Sequence, residues 1–201
     1  MLVGLGLGPG NPELLTLRAV RLLKEADAVF VPGRIAHDLV SPYRAPVILD
    51  FPMTDDEKKI RTCMVANAAK IAPVADNGLA VFGILGDPNF FSTFSRLCAV
   101  IAETHPDIEF RTEPGISSIT AFAAAAGIPV NCSLTVSDGS DECAGIFLKV
   151  RKPQKKATEL RLQGFCEFVL VERMFFSDMK VYRNEDLPEE SDYMSVMYAR
   201  K

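Results

Sequence analysis

Over residues 1 to 7 apolar positions alternate with glycine. The turn signals Gly8-Pro9-Gly10-Asn11-Pro12 follow, and Leu14, Leu17, Val20 and Leu22 or Leu23 then recur at helical spacing up to Ala26. The pattern predicts a strand, a Gly-rich loop and a helix. Asn11 suits the N-cap and Pro12 the first helical position, where its missing N–H costs nothing. A short apolar run from Ala28 to Val31 reads as a second buried strand. Two parallel strands joined through a helix make a βαβ unit, because parallel pairing requires a crossover.

The same rhythm continues, predicting a strand over 47–51, a helix over 55–71, a strand over 78–85, a helix over 92–103 and a strand over 108–111. Glu113-Pro114-Gly115 marks a turn where the pattern restarts. The join between two α/β halves is therefore expected there, giving domains 1–112 and 113–201. The second half shows a small-residue helix over 117–126, breakers at Gly127 and Pro129, and apolar strands over 145–150, 168–171 and 193–199. The run Ala123 to Ala126 suits close packing of a helix on a sheet, and no internal repeat is visible.

At 201 residues the chain has the length of one large domain or two compact ones. Apolar residues make up 48% and charged residues 24%, ordinary for a globular protein. No apolar run approaches the roughly 20 residues of a membrane span. The glycine-broken start lacks the basic segment of a secretory signal and is read as part of the fold. The net charge is −4 with scattered Lys and Arg, so nucleic acid is not an expected partner. Five widely spaced cysteines without a CxxC pair suit a reducing cytoplasm. With only His37 and His105 there is little material for a histidine triad, and no metal site is expected.

Three Gly-Pro turns between strand and helix carry the candidate chemistry. The first, around Gly8-Pro9-Gly10, fails the dinucleotide fingerprint: from Gly4 the third glycine position is Pro9, and from Gly6 it is Asn11. The phosphate-binding GxxxxGK[ST] pattern is absent too. The second runs from Gly83 to Thr93 and includes Gly86, Asp87 and Pro88; the third is Glu113-Pro114-Gly115-Ile116-Ser117-Ser118. Each sits where open α/β sheets bind ligands, at the carboxyl edge of a strand. Each also has a plain structural explanation, with Asn11, Asp87 or Ser92, and Ser117 capping the helix that follows. With no strong nucleophile or metal cluster, the three turns suggest a protein that positions ligands and leaves the chemistry to a cofactor.

Together these segments resemble the tetrapyrrole (cobalamin and sirohaem) methyltransferase family, whose members use S-adenosylmethionine. The resemblance runs through GLGLGPGNPELLTLRAVRLLKEAD, LGDPNFFSTF, TEPGISSITAFAAAAGIP, GIFLKV, VLVERM and YMSVMYARK, essentially the whole chain. Within the family, GDP followed by an aromatic-Ser-Thr, and the lysine in GIFLKV, look most like the C20-methyltransferases acting on precorrin-2 or cobalt-factor II. The resemblance implies two α/β domains with a cofactor cleft between them, and a homodimer. It implies that Pro9, Leu85, Gly86, Asp87, Phe90, Phe91, Ser117 and Ser118 contact S-adenosylmethionine, and that Leu148, Lys149, Tyr198 and Ala199 cradle its adenine with backbone atoms. Gly8, Pro9 and Gly10 would face the tetrapyrrole. Asn11 stands where the family usually has Asp, and Phe91 where it usually has Tyr; the lost hydroxyl is worth about 1 kcal/mol of affinity.

Methyl transfer from a sulfonium to an electron-rich carbon needs positioning rather than an activated nucleophile. A proton must then leave that carbon, and Asp87, Glu113 and Glu172 are candidate acceptors among which the sequence does not choose. A substrate with eight carboxylates makes local positive charge matter more than net charge. Arg18, Arg34, Arg96, Arg111 and Lys149 are the candidate contacts. Three readings follow: the C20 methyltransferase; a relative acting on uroporphyrinogen III, on a later precorrin position or, disfavoured because that group lacks the Gly-Pro-Gly start and the GISS segment, on a protein as diphthine synthase does; and a non-catalytic binding protein with this fold.

Overall fold

The computed structural model describes residues 1–136, 139 and 143–201, and the chain divides into two compact units, Met1–Val136 and Ser137–Lys201. In the first unit the strands are β1 (Leu2–Gly6), β2 (Ala28–Val31), β3 (Pro46–Ile48), β4 (Ala80–Ile84) and β5 (Phe110–Glu113). The helices are α1 (Leu17–Glu25), α2 (Arg34–Val40), α3 (Glu57–Asn77), α4 (Phe94–Thr104) and α5 (Ser118–Ala126). The five strands form one parallel sheet in the order β3-β2-β4-β1-β5. β1 and β4 are buried at every position, because helices cover both faces. Leu2, Phe82 and Ile84 pack with α3 and α4 on one face. Val3, Leu5, Val29, Val31 and Val81 pack with α1 and α2 on the other.

The alternating glycines of the first strand are explained by what they pack against. A Cβ on Gly4 would lie 2.4 Å from the ring of Phe94, which itself stacks on the buried Phe82 with centroids 6.0 Å apart. Gly4 thus opens the slot that seats α4 on the sheet.

The start of the chain folds differently from the single helix its pattern predicts. Asn11 caps a 3-10 turn over Pro12–Leu14, accepting from Glu13 N at 2.9 Å, and Leu15 is extended. Thr16 then caps α1 by accepting from Ala19 N at 3.0 Å. The interruption rotates the apolar stripe, so Leu17 is 92% exposed while Ala19, Leu22 and Leu23 are buried. The expected join at Glu113 also differs from the structure. Leu5 of β1 pairs with Glu113, which makes that residue part of the first sheet, and the first unit continues through α5 to Val136.

The second unit has β6 (Ala144–Leu148), α6 (Pro153–Arg161), β7 (Glu167–Glu172), β8 (Lys180–Arg183) and β9 (Ser195–Arg200). Its sheet is antiparallel in the order β6-β9-β7-β8. Ala157 and Leu160 of α6 pack on Phe168, Leu170, Met197 and Ala199 of the sheet. Among the described residues no helix is long and apolar enough to cross a membrane, and no group of three potential metal ligands comes together.

The five cysteines are free, and burial pushes the Cys98 thiol up to about 12. In the native protein near pH 8, DTNB should therefore titrate the exposed Cys132, Cys143 and Cys166 promptly, whereas Cys98 should react only after guanidinium chloride unfolds α4.

Candidate functional site

The strand order fixes where ligands can approach the first sheet. β1 is followed by β2 on one side, whereas the chain leaving β4 passes over β1 to reach β5 on the other. The chain leaving β1 in turn passes over β4 to reach β2, so the two connections leave neighbouring strands for opposite faces, and an open α/β sheet forms its crevice at the carboxyl ends of such a pair. The loops after those two strands contain Gly8 and Gly86.

These loops are bonded to each other. Gly86 N donates to Gly8 O at 2.7 Å and Gly8 N donates to Gly86 O at 3.3 Å. The third turn enters the same spot: a Cβ on Gly6 would lie 2.3 Å from Gly115 N, and one on Gly115 would lie 2.3 Å from Gly86 O. Both obstacles are backbone, so neither can move aside. Gly86 is glycine for another reason, its φ of +73°, and a Cβ there would meet nothing within 4 Å.

Asp87 ties the second turn to the third. Its buried carboxylate accepts from Asn89 N at 2.9 Å through Oδ1 and from Gly115 N at 3.1 Å through Oδ2. Asn89 Nδ2 donates to Thr112 Oγ1 at 3.1 Å, a second stitch to β5. Around this clamp Leu85, Phe90 and Phe91 are exposed, and Phe91 has a positive φ of 49°. Ser92 Oγ accepts from Phe94 N, and Ser117 Oγ accepts from Ile119 N as the cap of α5, whose first residue is Ser118. Pro9 is exposed, between the buried Gly8 and the half-buried Gly10.

All three Gly-Pro turns singled out in the sequence thus meet at one sheet edge. The roles of Gly6, Asn89 and Thr112 were not read from the sequence. For Gly6 the signal was available, since glycine inside a strand marks a close approach.

Three of the candidate arginines, Arg18, Arg34 and Arg96, lie at that edge, each in the first turn of a helix that follows a parallel strand. Arg18 Nη1 lies 3.0 Å from Glu113 Oε2, Arg34 Nε lies 2.9 Å from Asp38 Oδ1, and Arg96 Nη1 lies 3.4 Å from Glu57 Oε1. The bond from His37 is the main influence holding the Asp38 carboxyl below its ordinary range, with Arg34 adding to it. Arg111, on β5, places Nη1 3.6 Å from Glu113 Oε1. Glu113 therefore gathers Arg18 and Arg111, while Arg34 and Arg96 pair elsewhere.

In the second unit Leu148 ends β6, and Lys149 follows with a positive φ of 57°, its N–H donating to Ser195 O at 2.8 Å. Its ammonium lies 5.1 Å from the Tyr193 ring centroid. Tyr198 and Ala199 lie inside β9, which is flanked by β6 and β7, so their main-chain groups are committed to the two ladders. A backbone cradle at these two residues does not fit that arrangement. Glu172 is buried at the end of β7, accepting from Asp192 N at 3.2 Å and from Tyr182 Oη at 3.5 Å. Its neighbour Arg173 pairs instead with Asp178, at 2.7 Å. The guanidinium's bond to Asp178 holds that carboxyl below its ordinary range.

A sequence profile of the tetrapyrrole (corrin/porphyrin) methylases matches residues 1–170. The chain belongs to this family. Among curated methylase relatives, the probable cobalt-precorrin-2 C(20)-methyltransferase of Methanocaldococcus jannaschii is 29% identical over 222 aligned positions, covering 98% of this chain and 95% of that one. The sirohaem synthase of Chromobacterium violaceum is 35% identical over 134 positions, which are 62% of this chain and 26% of a much longer protein. Among solved structures, the putative cobalamin synthesis related protein CobF of Corynebacterium diphtheriae superposes with a TM-score of 0.54 at 17% identity, over 100% of this chain and 98% of that one. The methylase fold is therefore shared well beyond recognisable sequence.

The clamp makes graded demands on stability. Gly115→Ala forces a backbone collision and should cost more than about 3 kcal/mol. Asp87→Ala leaves two backbone donors without their acceptor and should cost about 1–3 kcal/mol. Asp87→Asn keeps one acceptor oxygen and should fall below Asp87→Ala. Urea unfolding of the three variants measures the order.

Proposed function

We propose that this tetrapyrrole methylase is an S-adenosylmethionine-dependent C-methyltransferase of cobalamin biosynthesis, acting at C20 of precorrin-2 or cobalt-factor II. The observation that carries this reading is the end-to-end alignment with the M. jannaschii protein, at 98% and 95% coverage. The convergence of the three Gly-Pro turns at the sheet's switch point supports the ligand site.

The residues at that edge fit such a donor. Gly86 leaves open space beside the loop, Leu85, Phe90 and Phe91 offer exposed apolar surface, and Ser117 and Ser118 open a nine-residue helix whose N-terminus favours a carboxylate. When bound, S-adenosylmethionine supplies a methyl group on a positively charged sulfur. Leu85, Gly86, Phe90, Phe91, Ser117 and Ser118 hold its methionine and ribose portion, with Pro9 beside it. Asp87 serves by fixing the turns rather than by touching the ligand. The family resemblance assigns the adenine to Leu148 and Lys149, with Tyr198 and Ala199 in the strand whose Ser195 O accepts from Lys149 N. Gly8, Pro9 and Gly10 face the macrocycle, with Arg18, Arg34 and Arg96 as contacts for its carboxylates. The work of the protein is alignment of carbon with methyl at roughly 3–3.5 Å.

No carboxylate is assigned the departing proton. Both oxygens of Asp87, Glu113 and Glu172 are already engaged. Solvent at the open edge takes it. In the cell the methyltransferase works as a cytoplasmic homodimer. The exposed Phe122 of α5, a helix with no buried residue, gives a second copy an apolar surface to cover.

A second reading, methylation of uroporphyrinogen III, is favoured by the 28% identity over 142 positions, 68% of this chain, to the uroporphyrinogen-III C-methyltransferase of Methanobacterium ivanovii. Anaerobic incubation of the protein with S-adenosylmethionine and, in parallel, precorrin-2, cobalt-factor II and uroporphyrinogen III separates the two, read by mass spectrometry and NMR. The expected product carries one new methyl, at C20, from precorrin-2 or cobalt-factor II. Methylation of uroporphyrinogen III alone moves the assignment to the second reading. Binding of S-adenosylhomocysteine with no methylation of any of the three overturns the C20 assignment and moves it to a later precorrin position or to a binding role.

A further inference from the structure

Glu113 is an unusual residue to end a strand at a ligand edge. Its side chain is 8% exposed, yet both of its oxygens face cations that are half in solvent: Arg18 at 3.0 Å, side chain 48% exposed, and Arg111 at 3.6 Å, side chain 51% exposed. Arg18 comes from the first turn of α1, whereas Arg111 and Glu113 are two residues apart on one face of β5. The carboxylate therefore joins two separate elements two residues before Gly115, the glycine wedged against Gly6 and Gly86.

A surface ion pair between exposed side chains is worth little, because water competes for both partners. Here the acid is buried and the bases are not, so the arrangement spends one desolvated carboxylate to hold two guanidiniums at the solvent boundary. Guanidinium groups present planar forks of N–H donors that match carboxylates in geometry as well as charge.

We propose that Glu113 is a positioning residue that aims Arg18 and Arg111 as a paired anchor for carboxylates of the macrocyclic substrate. The inference rests on the tetrapyrrole reading given above and deepens it: recognition at this point is of the substrate's acidic side chains, not of its ring. It also replaces the proton-acceptor role that the sequence left open for Glu113 with one that uses both of its oxygens.

The test is direct binding of two porphyrin probes, uroporphyrin III with eight carboxylates and coproporphyrin III with four, followed by fluorescence titration. Affinity for S-adenosylhomocysteine and the melting temperature are measured on every variant. Arg18→Gln and Arg111→Gln are each expected to raise the Kd for uroporphyrin by about tenfold, the scale of one lost charge-assisted contact, and the Kd for coproporphyrin by less. Arg61→Gln removes an equal charge from α3, where Arg61 pairs with Glu103, and should leave both unchanged.

Glu113→Gln gives the deciding sign. It makes the site more positive, so attraction by charge alone predicts tighter uroporphyrin binding, whereas loss of positioning predicts weaker binding, with partial rescue in Glu113→Asp. Unchanged uroporphyrin Kd in Arg18→Gln and Arg111→Gln, with wild-type S-adenosylhomocysteine affinity, overturns the anchor and leaves the family reading standing. Tighter binding by Glu113→Gln overturns the positioning role. Wild-type protein that binds S-adenosylhomocysteine but neither porphyrin overturns the substrate class and the anchor with it.

Discussion

The carbonyl oxygen of Gly86 is the point on which the carboxyl edge of the first sheet depends. It accepts a hydrogen bond from Gly8, and it lies where a Cβ on Gly6 or Gly115 would need to be. Three chain segments of distant sequence thus share a space that admits no side chain. Close packing of this kind leaves little tolerance, since interiors are already near crystal density. Everything placed around it, the capped start of α5, the exposed Phe90 and Phe91, and the Asp87 clamp, inherits its position from that contact. A loop site gains precision when rigid strands set its ends and direct bonds set its middle.

The carboxylates of the molecule follow from the same constraint. A methylase acting on an electron-rich carbon has small need of a strong base or nucleophile, so acidic residues near the edge are available for architecture. Asp87 holds two backbone N–H groups, and Glu113 holds two guanidiniums. Both are buried, where unpaired charge would be costly and where satisfied charge gives geometry. A net charge of −4 is then no obstacle to an acidic ligand. What a ligand meets is the local field, and parallel-strand topology delivers the starts of α1, α2 and α4, with Arg18, Arg34 and Arg96, to one edge.

Much of this was legible in the chain. The strands β1, β2 and β4 were read because burial on both faces leaves near-continuous apolar runs, and the three turns were read because Gly and Pro punctuate them. What escaped lacked such marks. α2 has seven residues and no side-chain cap, α6 is a polar stretch opened by Pro153, and β8 is a mostly exposed edge strand. The split at Leu15 was hidden because Asn11 and Thr16 are both good caps and a periodic stripe spans them. Pro114-Gly115 reads as punctuation and suggests a join at Glu113, whereas strand pairing across many residues makes Phe110–Glu113 complete the first sheet. The site residues themselves were legible only as segments. Which atoms of Asp87 and Glu113 face a ligand, and which face the protein, is a matter of tertiary geometry.

The change at Phe91 shows how segment and atom differ. The family resemblance implies that a missing hydroxyl is the main consequence of Phe91 at a position where Tyr is expected. In the structure Phe91 is 67% exposed with a φ of 49°, in a turn whose shape is set by Gly86 and by the bonds of Asp87 and Asn89. A β-unbranched aromatic held at a positive φ carries strain that its neighbours sustain. Its ring is therefore presented to solvent by the backbone, independently of any hydroxyl. The turn contributes an apolar face at this position, and the polar groups of this edge come from Ser117, Ser118 and the main chain instead.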